Sequence, residues 1–193
     1  MTAIALPAAF KPRTCRFTQS TNQRVSASPF GGSEQAVDML NDRWLVSIET
    51  AALSRADAVA IEVFIAALRG QTNTVALHHF ARPAVSGTIA GAKTLSASAA
   101  QGAASIGITA TGTLVAGDMI GVGGLLLMVA QDCTAVAGVI TVPLTNRLRT
   151  ALSSGAAVTT TAPTANFRLL ATSGVEHNSR WAPPVSFDFG EVP

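Results

Sequence analysis

Along residues 42–50, DRWLVSIET, the apolar Trp44, Val46 and Ile48 alternate with Arg43, Leu45, Ser47 and Glu49. A period of two sends the two sets to opposite faces and predicts a half-buried strand. Residues 14–21, TCRFTQST, have the same strand character after an irregular arm over residues 1–12. Between the two strands, SASPFGG carries Pro29, Gly31 and Gly32 and reads as a turn. The period then changes. Residues 54–69, SRADAVAIEVFIAALR, predict a helix with Ser54 as N-cap, Asp57 in the first turn and Arg69-Gly70 as the stop. Ala60, Val63, Phe64, Ala67 and Leu68 form one apolar face, with Ile61 and Ile65 outside it. Arg55, Glu62 and Arg69 form a narrow polar seam. A helix so apolar is expected to be covered on more than one side.

Residues 73–80, NTVALHHF, predict another strand, and after Arg82-Pro83 the composition changes abruptly. From residue 84 to about 163 the chain is dominated by Ala, Gly, Thr, Ser and Val, without Phe, Trp or His. Short β-branched or apolar runs at 105–109, 118–122, 125–130, 138–142 and 157–161, separated by glycine turns, predict a small β-sandwich or barrel. Aromatic character returns in NFRLLATS and VSFDFGEV. The expected organisation is therefore mainly β. A discontinuous β-domain, residues 1–83 plus 164–193 with helix 54–69, is interrupted by a small all-β insertion at 84–163. No period of about 20–50 residues recurs, which argues against a solenoid.

Composition sharpens this picture. Hydrophobic residues make up 48% of the 193, but charged residues only 12%, against about 25% in an ordinary soluble domain. So few charges suit a subunit whose faces are covered by neighbours. The net charge of +2 and the scattered basic residues argue against specific nucleic-acid binding, and the mild cluster Lys11, Arg13, Arg16 and Arg24 reads as a solvated strand face. The mean hydropathy is +0.38, yet the apolar run between Asp118 and Asp132 is shorter than the roughly 20 residues of a membrane span. The N-terminus lacks a positive residue ahead of its apolar run and contains Pro7, a poor signal-peptide pattern. Cys15 and Cys133 have no CxxC spacing and read as two free thiols.

Candidate chemistry is thin. The glycines of VAGDMIGVGGLLLMV (115–129) invite a phosphate-loop reading, but the sixth place from Gly121 is Leu126, which breaks GxGxxG, and no Gly-Lys-Ser/Thr follows. Two apolar runs around Gly123-Gly124 instead predict a two-residue hairpin, with Gly117-Asp118 as the preceding turn. His78 and His79, adjacent in a strand, would face opposite sides and rarely ligate one ion; His177 is distant in sequence. They read as interface or exposed strand positions. No GxSxG elbow surrounds Ser33, Ser86 or Ser173, and Asp38 with Asp42 reads as a solvated segment. No catalytic, cofactor or metal residue is assigned.

Three stretches resemble small tail proteins of tailed bacteriophages. They are RWLVSIETAALSRADAVAIEVFIAALRGQTNTVAL, then TLVAGDMIGVGGLLLMVAQD with GVITVPLTNRLRTALSSGAAV, and the closing NFRLLA and VSFDFGEV. The resemblance implies a virion component of the distal-tail or baseplate-hub kind, with a tail-tube-like β-sandwich or barrel flanked by one helix. Such proteins are made in the bacterial cytoplasm. They form rings, often hexameric, that stack on the tail tube and meet hub and fibre proteins. The expected function is a non-enzymatic ring joining tube to tip, with Trp44, Ile61, Phe64, Ile65, Leu68 and Trp181 as candidate packing and interface residues. The loop Trp181–Pro184 reads as ordered and anchored in the core. A head-to-tail connector, an adaptor or a tail-tube subunit is the alternative within assembly, and a glycan- or small-ligand-binding β-module is the alternative in another class.

Overall fold

The computed structural model describes residues 2–28, 31–171, 173–178 and 181–192. The protein is mainly β, 46% strand and 8% helix. The first part of the chain runs through β1 (Ala3–Ile4), β2 (Pro12–Ser20), β3 (Gln23–Ala27), β4 (Glu34–Asp38) and β5 (Arg43–Thr50). Helix α1 (Arg55–Leu68) and β6 (Thr74–Leu77) follow. The middle holds β7 (Ala90–Leu95), β8 (Ser105–Thr111), β9 (Thr113–Leu114), β10 (Met119–Val122), β11 (Leu125–Met128), β12 (Cys133–Thr134), β13 (Val139–Pro143) and β14 (Val158–Thr159). The chain ends on β15 (Ala165–Leu169) and β16 (Ser186–Glu191).

The alternation in β5 buries Trp44, Val46 and Ile48, as the period of two predicts. It fixes β5 in a six-stranded sheet of order β1-β6-β15-β16-β5-β2, in which only β1 and β6 are parallel. The closing VSFDFGEV lies inside this sheet as β16, with Phe187 and Phe189 buried and their rings stacked 5.8 Å apart. Five sheets form among the described residues, and none closes into a barrel.

Helix α1 has the expected ends. The Ser54 hydroxyl accepts the Asp57 N–H at 3.2 Å, and Arg69 takes a left-handed conformation at the C-cap. Its orientation differs from the sequence expectation. The residues against the sheet are Ala58, Ile61, Phe64 and Leu68, with Ile65 half-buried, whereas Val63 is exposed. The packed face is turned by about one residue, roughly 100°, from the predicted one. An all-round apolar helix does not by itself select which stripe meets the core, and the sheet selects Ile61.

Buried apolar side chains fall into two clusters. The first combines residues from both ends of the chain, among them Phe10, Val46, Ile61, Phe64, Phe167 and Phe187. The second is drawn from residues 85–158, including Ile108, Leu114, Ile140 and Leu148. The hairpin β10–β11 stands between them. Its pairing runs Met119↔Met128, Ile120↔Leu127, Gly121↔Leu126 and Val122↔Leu125. Met119, Leu126 and Met128 face the first cluster, while Ile120, Val122, Leu125 and Leu127 face the second. A strand buried on both faces has no polar alternate positions. That is why this stretch reads as an unbroken apolar run.

Gly123 and Gly124, both at positive φ (56° and 81°), close the hairpin as a two-residue turn of the kind that needs left-handed residues at both places. The glycines thus form the hairpin corner that their place between two apolar runs predicts.

Candidate functional site

His78 and His79 lie just beyond β6, not within a strand. His79 is buried, stacked on Phe17 with ring centres 4.7 Å apart, and its Nδ1 accepts the Arg82 N–H at 3.1 Å. The reading of the histidines as interface or exposed strand positions is corrected in part: neither lies in a strand, His78 is half-buried, and the Phe17 ring and the turn at 79–82 enclose His79. Burial pushes both imidazoles below the ordinary histidine range. His177 sits elsewhere, its Nε2 3.1 Å from Glu62 Oε2 on the outer side of α1. Among the described residues no group of three or more His, Cys, Asp or Glu side chains could hold a metal ion, and no helix is long and apolar enough to cross a membrane. Both cysteines are free and half-buried.

Asp118, in the glycine-rich stretch, is a structural acceptor. Its carboxylate is buried and receives the N–H groups of Ser86 (2.7 Å), Gly87 (3.3 Å) and Val115 (2.9 Å). It pins the entry of the middle region to the turn before β10. Asp118→Ala is expected to lower the unfolding free energy by about 1–3 kcal/mol, since three part-buried N–H groups lose a charged acceptor. Asp118→Asn, which keeps one oxygen, should lose less; urea denaturation of both variants checks the order.

The seam between the two clusters is polar and was not visible in the sequence. Glu191, at the end of β16, is buried. One carboxylate oxygen accepts the Trp44 N–H at 3.0 Å and the other pairs with the Arg149 guanidinium, which also donates to the Val192 carbonyl at 3.3 Å. The Trp44 indole N–H donates to the Leu126 carbonyl at 2.8 Å, and Asn146 Nδ2 donates to the same oxygen at 3.0 Å. Asn146 Oδ1 accepts the Met128 N–H at 3.1 Å. Thus the PLTNRLR turn at 143–149 supplies Arg149, which reaches across to β16, and Asn146, which braces the β10–β11 hairpin that Trp44 contacts. The reading of Asp42 as solvated is corrected here: it is buried at the start of β5 and takes a 3.3 Å bond from Gln19 Nε2.

The six candidate packing and interface residues separate cleanly. Trp44, Ile61, Phe64 and Leu68 are buried in the chain's own first cluster and present no surface, and Ile65 is half-buried against it. Trp181 is 51% exposed. The loop after it is anchored by Ala182, which pairs with Leu53, so Trp181 itself is not a core anchor.

Two exposed features stand out instead. The first is the ribbon β3–β4, whose ten strand residues are all exposed, Val25 at 54% and Val37 at 45% among them. The turn predicted at SASPFGG lies at its tip; Pro29 and Phe30 are outside the described residues. The ribbon leaves the sheet beyond β2 and β5 through Leu40 and Asn41, both at positive φ, and its base is tied to the middle region by the ion pair Asp38–Arg147 at 3.3 Å. The second feature is the outer flank of α1, where Val59 and Val63 are exposed beside a groove lined by Arg55, Val59, His177 and Asn178. Lys11, Arg13, Arg16 and Arg24 are all exposed, as the reading of a solvated face requires.

No model of a known protein family matches the chain. No curated protein matches it either.

Proposed function

We propose that the chain is a non-enzymatic structural subunit of a bacteriophage tail, forming a distal-tail or hub ring that joins the tail tube to the tip. The β3–β4 ribbon carries this reading. A two-stranded ribbon solvated on both faces is at best marginally stable alone in water, and a ribbon that keeps Val25 and Val37 exposed is suited to lie against another protein. Two further observations support it. The outer edge of β2, nine residues long, is a strand edge with no pairing partner among the described residues, and such edges are usually covered or paired. Helix α1 also keeps an apolar flank outside the core.

In this reading the sheet and α1, residues 1–83 plus 164–193, build the ring wall. The insertion at 84–163, fastened through Glu191–Arg149, projects outward toward the next tail component. Identical copies would cover the ribbon, the strand edge and the helix flank together, as a closed cyclic assembly does.

Mass photometry and negative-stain imaging of the purified chain test this directly. A discrete ring at low micromolar concentration is expected. A monomer at every concentration up to the millimolar range would sink the proposal.

A further inference from the structure

We infer that the β3–β4 ribbon of one copy docks on the outer flank of helix α1 of a second copy, with Val25 and Ala36 over Val59 and Val63 and Glu34 against Arg55. The inference rests on the ring reading and specifies the contact that builds the ring.

At 100° per residue, Val59 and Val63 stand opposite the packed stripe Ala58, Ile61, Phe64, Ile65 and Leu68. They are 48% and 63% exposed. The polar groups around them are unequal. Glu62 is engaged by His177, whereas Arg55 and Arg69, at the two ends of the flank, have no side-chain partner among the described residues. The flank is therefore an apolar centre bounded by unpaired positive charge.

The ribbon is its complement. Directly paired residues share a face, so the register Gln23↔Asp38, Val25↔Ala36 and Ala27↔Glu34 puts these six together on one side. That side is apolar at its centre and acidic at both ends. Asp38 at the base is already held by Arg147, while Glu34 at the tip has no partner among the described residues. Spacings agree as well. Glu34 and Ala36 are about 7 Å apart along the strand, and Arg55 and Val59 about 6 Å apart along the helix axis. Since every strand residue of the ribbon is exposed in its own chain, the helix it meets belongs to another copy. A contact between two different patches propagates head to tail and closes into a ring when the rotation permits.

The test uses the full chain, and every substituted residue is exposed, so folding is preserved and a thermal melt confirms it. Val63→Asp is expected to convert rings to monomers in mass photometry. Glu34→Arg and Arg55→Glu should each weaken assembly about tenfold, and the double swap should restore it, because the pair is re-formed with its signs exchanged. A photo-crosslinking residue at Val25 should capture the peptide containing Val59 and Val63 from a second copy. If rings persist in Val63→Asp, the contact is wrong and the ring reading stands. If Val63→Asp dissociates rings but the double swap assembles no better than its parents, the flank meets something other than the ribbon and the inference fails. A wild-type chain that stays monomeric removes both.

Discussion

Glu191→Ala is expected to lower the unfolding free energy by about 3–5 kcal/mol, the range for removing one partner of a buried ion pair. The substitution leaves the Arg149 guanidinium buried without its counter-charge and the Trp44 N–H without its acceptor. Glu191→Gln keeps an oxygen for Trp44 and should lose only about 1–2 kcal/mol. The two variants also separate in their dependence on pH. Burial pushes the Glu191 carboxyl above the ordinary carboxylate range, and the opposing pull of Arg149 and the Trp44 N–H does not cancel it. The folded chain therefore holds this proton more tightly than the unfolded one. The residue's contribution to stability is full below the unfolded carboxyl value, about 4.3, and is lost as pH rises through the folded value. Glu191→Gln has no such proton to lose. Urea melts between pH 4.5 and 7 should show the difference between wild type and Glu191→Gln shifting against the wild type as pH rises. A constant difference across that range would refute the assignment.

This seam also marks where sequence reading stops. The strands, the helix and the Gly123-Gly124 hairpin are legible because their signals are local: a period of two, a capped period of 3.6, a pair of glycines between apolar runs. Glu191 and Arg149 are 42 positions apart, and neither has a local pattern that names its partner. Only the sheet order, which places β16 beside β5, brings the carboxylate to the Trp44 amide. The face of α1 was ambiguous for another reason. Its apolar residues surround the axis, so hydrophobicity alone does not distinguish Ile61 from Val63, and contact with the sheet decides. The ribbon was hidden by its composition, because QRVSA and EQAVD lack the apolar alternation that marks a packed strand. Its few apolar residues, Val25, Ala27, Ala36 and Val37, stay exposed in its own chain.

Trp44→Ala is expected to cost about 3–5 kcal/mol, the range for truncating a buried aromatic. Trp44 is almost fully buried, and its ring meets Phe17 edge-on at 6.2 Å, so the loss is one of packing inside a single chain. Trp44→Phe separates packing from hydrogen bonding. It retains most of the ring and removes only the N–H to the Leu126 carbonyl, an oxygen that still receives Asn146. Its cost should be near 1 kcal/mol. Because Trp44 touches Glu191 through its backbone and Leu126 through its indole, the Trp44→Phe, Asn146→Ala pair is coupled. Removing both donors strands the Leu126 carbonyl, and the double variant should lose more than the sum of the singles by about 1 kcal/mol or more. Chemical denaturation of the four proteins in this cycle measures that excess. If the losses add, the middle region is held to the sheet by the Glu191–Arg149 pair and the apolar contacts of Met119, Leu126 and Met128, and the shared carbonyl is not part of the fastening. An excess makes that carbonyl a second fastening beside the Glu191–Arg149 pair, at the hairpin that belongs to both cores.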